Sequence, residues 1–460
     1  MSAQRRPVHG LWSSGPIFVL AVTGAAVGLG NVWKFPQLVG ANGGGAFFVV
    51  YLICLALLAF PLLVAEIMLG RRARRAPVEA FRVLTAEEGR WPSWRIVGWL
   101  MMLVTLVLLA TFSVVGGWTM AYVFRAASGA FGDLDSVQAA EIFQAFIADP
   151  EKLLAWHTLF MAVMVLTVSR GLRWGLEEAV RWFVPALLGL LVLLAGYTAA
   201  ATGYFDQALA YLLAPDFVKL SWQAIPAALS HAFFTFSVGM GVIMTYAAYL
   251  EQDVSILRAA GWIVAADTII SIFAGLIVFP VVFASDLPPA SGPGLVFQVL
   301  PLAFGQMPNG TWFGTLFFLL LTFIAWTSGM ALLEPMVAHL VERRGMDRPL
   351  AASAVGMFVW AVGVLALLSF NVWEHVRPLR RFELFHDSGL FDLLNFGAAN
   401  VLLPLLGLLL ALFAGWRVSA MTSQMELGEG RGHRIWLFLI RYVTPLGLLV
   451  VVVNASGLGV

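Results

Sequence analysis

The chain has 460 residues, of which 60% are hydrophobic and 12% charged, and carries a net charge of +1, with a mean hydropathy of +0.88. A soluble domain could not hide so much apolar surface, so the composition describes a polytopic membrane protein with the lipid bilayer as its first partner and no nucleic-acid partner. The lone cysteine, Cys54, excludes an intrachain disulfide or a thiolate metal cluster, and no GxxxxGK[ST] loop is present to cradle a nucleotide.

Apolar runs of about twenty residues predict spans near 14–38, 44–69, 94–125, 154–170, 176–200, 222–250, 259–284, 311–341, 350–370, 390–415 and 434–455. The fourth is the shortest, and the third and eighth are long enough to tilt or overrun the bilayer. Arg5 and Arg6 precede the first span, and Arg71, Arg72, Arg74, Arg75, Arg82, Arg90 and Arg95 follow the second, whereas Asp133, Asp135, Glu141, Asp149 and Glu151 follow the third. By the positive-inside rule the N-terminus is expected in the cytoplasm and, after eleven spans, the C-terminus outside, in a multi-pass protein of the cell's inner (plasma) membrane. No cleavable signal peptide is evident in the first apolar run. Residues 371–389 depart from that simple count, mixing Arg377, Arg380 and Arg381 with Glu374, Glu383 and Asp387.

The first span cannot be one smooth helix. Gly24, Gly28 and Gly30 each cost about 1 kcal/mol against alanine in a helix interior, and Asn31, Lys34 and Pro36 add polar groups and a missing donor. Unwound backbone at membrane depth is tolerated only where protein or a cavity satisfies it, so a break here predicts a polar site for a zwitterion and cations. Close packing of a glycine-rich span on a neighbour is the alternative.

The sixth span repeats the anomaly, for Phe234-Thr-Phe-Ser-Val-Gly-Met-Gly241 interrupts an apolar stretch with two glycines and two hydroxyls. Interrupted spans at corresponding places in two halves point to a transporter binding site near the midplane. Asp267 sits within the apolar run of the seventh span, where a carboxylate needs an interior position and a partner, either a cation or a hydrogen-bond network that keeps it protonated. The segment 286–310 is too broken by proline to span yet has an apolar centre, so it is expected to fold back as an outer lid.

These residues resemble the neurotransmitter:sodium symporter family, in its bacterial branch. Gly24-Ala-Ala-Val-Gly-Leu-Gly-Asn31, Lys34-Phe-Pro36 and Asn42-Gly-Gly-Gly-Ala-Phe47 are similar to its first-span signature, and Glu66 with Gly70-Arg71 to the end of its second. Trp118-Thr119, Phe234-Thr235, Thr245-Tyr246 with Tyr249, Thr327-Ser328, Glu334-Pro335 and Arg441-Tyr442-Val-Thr-Pro445 follow in family order over nearly the whole chain. The resemblance implies an all-α polytopic membrane protein with the LeuT-type 5+5 inverted-repeat transporter fold, helices 1 and 6 broken. It would form one domain over 1–460, with repeats at roughly 11–200 and 218–415 and an extra span at 434–455.

The resemblance also implies two sodium ions. The first would use the carbonyl of Ala26 and the side chains of Asn31, Thr235 and Asp267; the second would use carbonyls of Gly24, Val27 and Ile324 and the hydroxyls of Thr327 and Ser328. A small-molecule substrate, an amino acid, would lie between them against Ala26, Gly28, Leu29, Gly30, Leu108, Phe112, Phe234, Thr235, Ser237, Met240, Ser328 and Leu332. Backbone N–H groups in the glycine gap would face its carboxylate, and the Leu, Phe and Met walls favour a hydrophobic or aromatic side chain. An outer gate is expected from Lys34, Asp392 and Phe234, and an inner gate from Trp12, Tyr249 and Glu342.

Three residues depart from the family pattern. Phe112 stands where a tyrosine usually binds the substrate carboxylate, which leaves open either an amino acid held without that hydroxyl or a substrate lacking the carboxylate. In the chloride-dependent members the anion lies near residues matching Tyr51, Thr235 and Ser271, with an Asn where Asp267 stands and a Gln where His231 stands. Here Asp267 already supplies a negative charge, so chloride is not expected. His231 is either a core residue or a titrating group. At the gates, Lys34 and His9 replace the usual arginines.

The function expected is sodium-coupled import of a small hydrophobic or aromatic amino acid by alternating access, with no catalysed chemistry. A transporter of an amine or other non-carboxylate solute, or a transporter-like substrate sensor, is the alternative. A channel lacks its polar ring, and a membrane enzyme lacks a nucleophile or acid-base pair. The oligomeric state is not legible in the sequence.

Overall fold

The computed structural model describes residues 7–132, 134–284 and 295–455. Arg5, Arg6, Asp133 and the first part of the expected lid, 286–294, lie outside the described residues. Among those residues the fold is helical, with nine helices long and apolar enough to cross a membrane: Gly45–Ala73, Pro92–Ala127, Pro150–Ser169, Leu172–Thr202, Ile256–Ala284, Gly310–Arg344, Arg348–Phe370, Leu390–Arg417 and Arg431–Asn454. A tenth crossing is the pair Gly15–Ala26 and Leu29–Ala41, bent by 67°. Ala224–Phe234 and Val242–Ala248 are each too short to cross alone and lie on either side of an irregular stretch, 235–241, giving the sixth crossing in chain order. We number the crossings as spans 1 to 11.

Hydrocarbon can satisfy no backbone group, so each crossing is helical wherever it meets lipid and irregular only inside. The two breaks obey this, for Ala25, Ala26, Val27, Phe236 and Val238 are buried in the middle of the molecule. The outer surface carries exposed apolar side chains such as Leu166, Phe358 and Leu446, a surface suited to lipid rather than water. Spans 3 and 8, the longest at 36 and 35 residues, pack along each other and frame one side of the breaks.

Glycine lets several elements meet backbone to backbone. A Cβ on Gly70 of span 2 would fall 2.1 Å from the carbonyl oxygen of Met244 in the second half of span 6. One on Gly98 of span 3 would meet the Cα of Val78 at 2.7 Å, in the connecting helix Pro77–Glu87. The acidic connection after span 3 contains the helix Ser136–Ile147, begun by a capping box in which Asp135 accepts from the Gln138 N–H at 2.8 Å and Gln138 accepts from the Asp135 N–H at 3.0 Å. The described part of the expected lid forms Leu295–Val299 and Leu300–Gln306.

Candidate functional site

Span 1 unwinds at Val27 and Gly28, both in extended conformation, before helix resumes at Leu29. Span 6 unwinds through Ser237, Gly239 and Gly241, whose φ values are +53°, +87° and +73°. Glycine adopts these at little cost, but Ser237 does not, and a non-glycine residue held there marks a place where surrounding structure imposes strain. Two buried side chains satisfy the freed backbone: Glu66 accepts from the Gly239 N–H at 3.2 Å, and Thr105 donates to the Met240 carbonyl at 2.6 Å.

Three of the residues expected at the first ion position converge. Thr235 Oγ1 donates to the Asp267 carboxylate at 3.0 and 3.1 Å, and Asn31 Nδ2 lies 2.8 Å from Asp267 Oδ1, 3.0 Å from Ser271 Oγ and 3.3 Å from Thr235 Oγ1. Tyr51 Oη donates to the other carboxylate oxygen at 3.3 Å. Asp267 is fully buried, and among the described residues no cationic side chain forms an ion pair with it. A buried carboxylate without a countercharge is costly, and this cluster of hard oxygens suits an alkali cation. His231, stacked on Phe35 and 5.2 Å from Tyr51 between ring centres, has neither ring nitrogen hydrogen-bonded among the described residues.

The second expected cluster is assembled between spans 1 and 8. Ser328 Oγ donates to the Val27 carbonyl at 3.0 Å, and Thr327 Oγ1 to those of Phe323 and Ile324, both at 3.1 Å. A Cβ on Gly24 would lie 3.5 Å from the Cβ of Thr327, so glycine is what brings the two spans together here.

Between the clusters lies a cavity of about 610 Å³, within the range of about 300–1,000 Å³ usual for small-molecule sites. All twelve residues expected to line it do so: Ala26, Gly28, Leu29, Gly30, Leu108, Phe112, Phe234, Thr235, Ser237, Met240, Ser328 and Leu332. Sequence reasoning missed its upper wall, where Trp118, Phe143, Phe297 and Phe370 meet edge to face or stacked. Phe297 belongs to the described part of the lid segment, whose apolar centre was the available signal.

The two ends of the cavity differ. Lys34 and Asp392, both expected at the outer gate, line it, and among the described residues no ion pair joins them. Lys34 instead stands over the Phe234 ring, 5.0 Å from its centre, and Asp392 accepts from the Gly389 N–H at 3.0 Å. The opposite end is packed shut. Trp12 donates through Nε1 to the Tyr246 carbonyl at 2.9 Å and through its N–H to that of Tyr249 at 3.0 Å. Glu342 lies 3.3 Å from His9 Nε2 and accepts from the Ala76 N–H at 2.9 Å. Arg348, unremarked in the sequence because it reads as an ordinary basic residue at a span end, pairs with buried Glu334 and contacts His9 Nδ1 at 3.4 Å.

A family model described as the sodium:neurotransmitter symporter family matches residues 9–132 and 148–403. Over 99% of both chains, the sequence is 34% identical to an uncharacterized sodium-dependent transporter of Bacillus subtilis, YhdH. An uncharacterized sodium-dependent transporter of Haemophilus influenzae is 30% identical over 96% of this chain and 97% of its own. Among solved structures, MhsT in complex with L-phenylalanine superposes with a TM-score of 0.85 at 34% identity, covering 97% of this chain and 99% of that one.

Proposed function

Because the chain belongs to the sodium:neurotransmitter symporter family, as a sodium-dependent transporter of LeuT-type fold, we propose that it imports a hydrophobic or aromatic amino acid. Two sodium ions would bind at the clusters around Asp267 and Thr327, and chloride would not be required. The observation that carries the reading is the apolar cavity between two groups of oxygens, one holding a buried carboxylate without a countercharge. Within that cavity the N–H groups of Gly28 to Gly30 face the substrate carboxylate, and Leu108, Phe112, Met240 and Leu332 surround its side chain. The solved relative binds L-phenylalanine, a ligand of this class.

Asp267 supplies the charge that chloride would otherwise bring beside the ion, and two anions there would repel. The N-terminus lies in the cytoplasm and the protein spans the plasma membrane. The packed end at Trp12, Tyr249 and Glu342 is then the inner gate, and the end bearing Lys34, Phe234 and Asp392 the outer one. Lys34 and Asp392 draw together as the lid closes over bound substrate, after which the inner gate opens. The repeats occupy roughly 11–200 and 218–415.

A second reading rests on Phe112, which puts a ring into the cavity without a hydroxyl for a carboxylate: the substrate would be an amine. Equilibrium binding of radiolabelled amino acids and amines to the purified protein, with sodium replaced by potassium and chloride by gluconate, decides. The proposal expects sodium-dependent, chloride-indifferent binding of an L-phenylalanine-like ligand. Binding of amines alone would replace it with the second reading.

A further inference from the structure

The Arg441-Tyr442 pair of the sequence signature takes no part in the cavity or its gates. Arg441 stands ten residues beyond the start of span 11 at Arg431, in a wide π-type turn, Leu439–Val443, that packs on a second such turn, Phe413–Arg417, at the end of span 10. Gly415 permits the approach, for a Cβ there would lie 3.1 Å from Arg441 Cγ. Arg441 Nε donates to the Gly415 carbonyl at 2.5 Å, and its guanidinium stands 5.9 Å from the centre of the Trp416 ring. At the same corner Arg90, just before span 3, donates through Nε to the Arg417 carbonyl at 3.1 Å, and the Trp94 ring lies 5.2 Å from that of Phe413.

Three segments thus bring Arg90, Arg417 and Arg441 to one edge of the molecule. Among the described residues none of the three forms an ion pair, and no hydrogen bond engages their terminal nitrogens. Glu88, two residues before Arg90, instead accepts from the Ser419 N–H at 3.1 Å. Arg441 is half-buried within a span, where a cation calls for an anionic partner, and like charges gathered without a carboxylate repel. Around them Trp91, Trp416 and Tyr442 are exposed by 80%, 51% and 49%. Such rings at span ends settle at the level of the lipid headgroups, and there the anion at hand is phosphate.

We propose that this corner binds the headgroup of an anionic phospholipid, its phosphate taken by the guanidinium groups of Arg90, Arg417 and Arg441 and its acyl chains lying against Trp416 and Tyr442. Guanidinium forks match phosphate oxygens, and basic pockets between spans take headgroups in this way. The lipid bridges span 3 to spans 10 and 11, and none of the residues that hold it lines the transport cavity. The site therefore stands or falls independently of the substrate.

The test is a titration of the full-length protein in detergent micelles with phosphatidylglycerol or phosphatidylcholine, read by native mass spectrometry as occupancy by the first lipid. The wild type should bind phosphatidylglycerol at least about tenfold more tightly than phosphatidylcholine; equal binding overturns the proposal. Arg90→Gln combined with Arg417→Gln should weaken phosphatidylglycerol at least about tenfold and leave phosphatidylcholine unchanged. The side chain of Arg417 makes no bond within the described residues, so Arg417→Gln alone, with an expected loss of about fivefold, carries the test if the double variant does not fold. Wild-type affinity in these variants overturns the proposal.

Arg380→Gln combined with Arg381→Gln is the control, since these two exposed arginines lie in the connection between spans 9 and 10 and also form no ion pair among the described residues. That variant should bind phosphatidylglycerol as the wild type does. An equal loss in both double variants overturns the site, because the lipid then answers only to overall charge. Inorganic phosphate in about tenfold excess should leave the lipid in place, for it lacks the acyl chains that rest on Trp416 and Tyr442; full displacement would give the arginines to a free anion and overturn the lipid assignment.

Discussion

The Tyr249 phenol donates to Glu334 Oε1 at 2.7 Å, both residues being buried, and Arg348 holds the other carboxylate oxygen. One carboxylate thus ties the end of span 6 to spans 8 and 9 beside the Trp12 seal. Arg348→Gln strands that buried charge, and breaking a buried pair in this way costs about 3–5 kcal/mol. The packed end should open more often. In a Cys54→Ser background, a cysteine at Thr23, on the first half of span 1, should react with an impermeant thiol reagent supplied from the side of the packed end at least about tenfold faster once Arg348 is changed, since 1.4 kcal/mol is tenfold in a population ratio. Equal labelling rates would show that Trp12 alone keeps that end shut.

Asp267→Asn removes the buried carboxylate while keeping the shape of the side chain. Sodium should then stabilise the protein against thermal unfolding at least about tenfold more weakly in apparent affinity, because a formal charge has left the ion's ligand set. Chloride should recover part of the loss, whereas the wild type should behave alike in chloride and gluconate. An unchanged sodium midpoint would remove Asp267 from the ion site.

Phe112→Tyr places a hydroxyl at the cavity wall. A new hydrogen bond to a charged group contributes about 1.5–3 kcal/mol, so L-phenylalanine should bind at least about tenfold more tightly in sodium while phenethylamine is unaffected. Weaker binding of the amino acid would mean that the carboxylate lies elsewhere.

Gly98→Ala drives a methyl group into the backbone of Val78 and Pro77, where nothing flexible can give way. Thermal unfolding in detergent should show a loss of about 1–3 kcal/mol. Gly189→Ala in span 5, with no atom within 4 Å of the added carbon, should instead gain about 0.5–1 kcal/mol from helix propensity. The opposite signs test the packing argument against any general sensitivity to glycine.

The crossings and both breaks were legible because they depend on local chemistry, namely apolar length and the glycines and hydroxyls that interrupt it. The lining of the cavity was reached through the family resemblance, residue by residue, and all twelve positions face it. Glu66 and Thr105 were not legible as the groups that satisfy the span 6 break, since each reaches it from another helix, Glu66 across 173 positions of sequence and Thr105 across 135. The Asp135 to Gln138 capping box was present in the sequence as a local signal and went unused. Lys34 and Asp392 were legible as residues of one gate, and both line the cavity, but their separation was not, since residue types fix which charges can meet and not the conformation in which they do.

The contact between Gly70 and the Met244 carbonyl leaves no clearance for even one carbon atom. The two helices are therefore already at their closest approach, and any side chain at position 70 would force them apart. A rocking of the second half of span 6 that keeps this contact and the hydrogen bond from the Gly239 N–H to Glu66 carries span 2 with it. The mechanical unit is wider than the pair of broken spans, and its hinge must be sought beyond this joint.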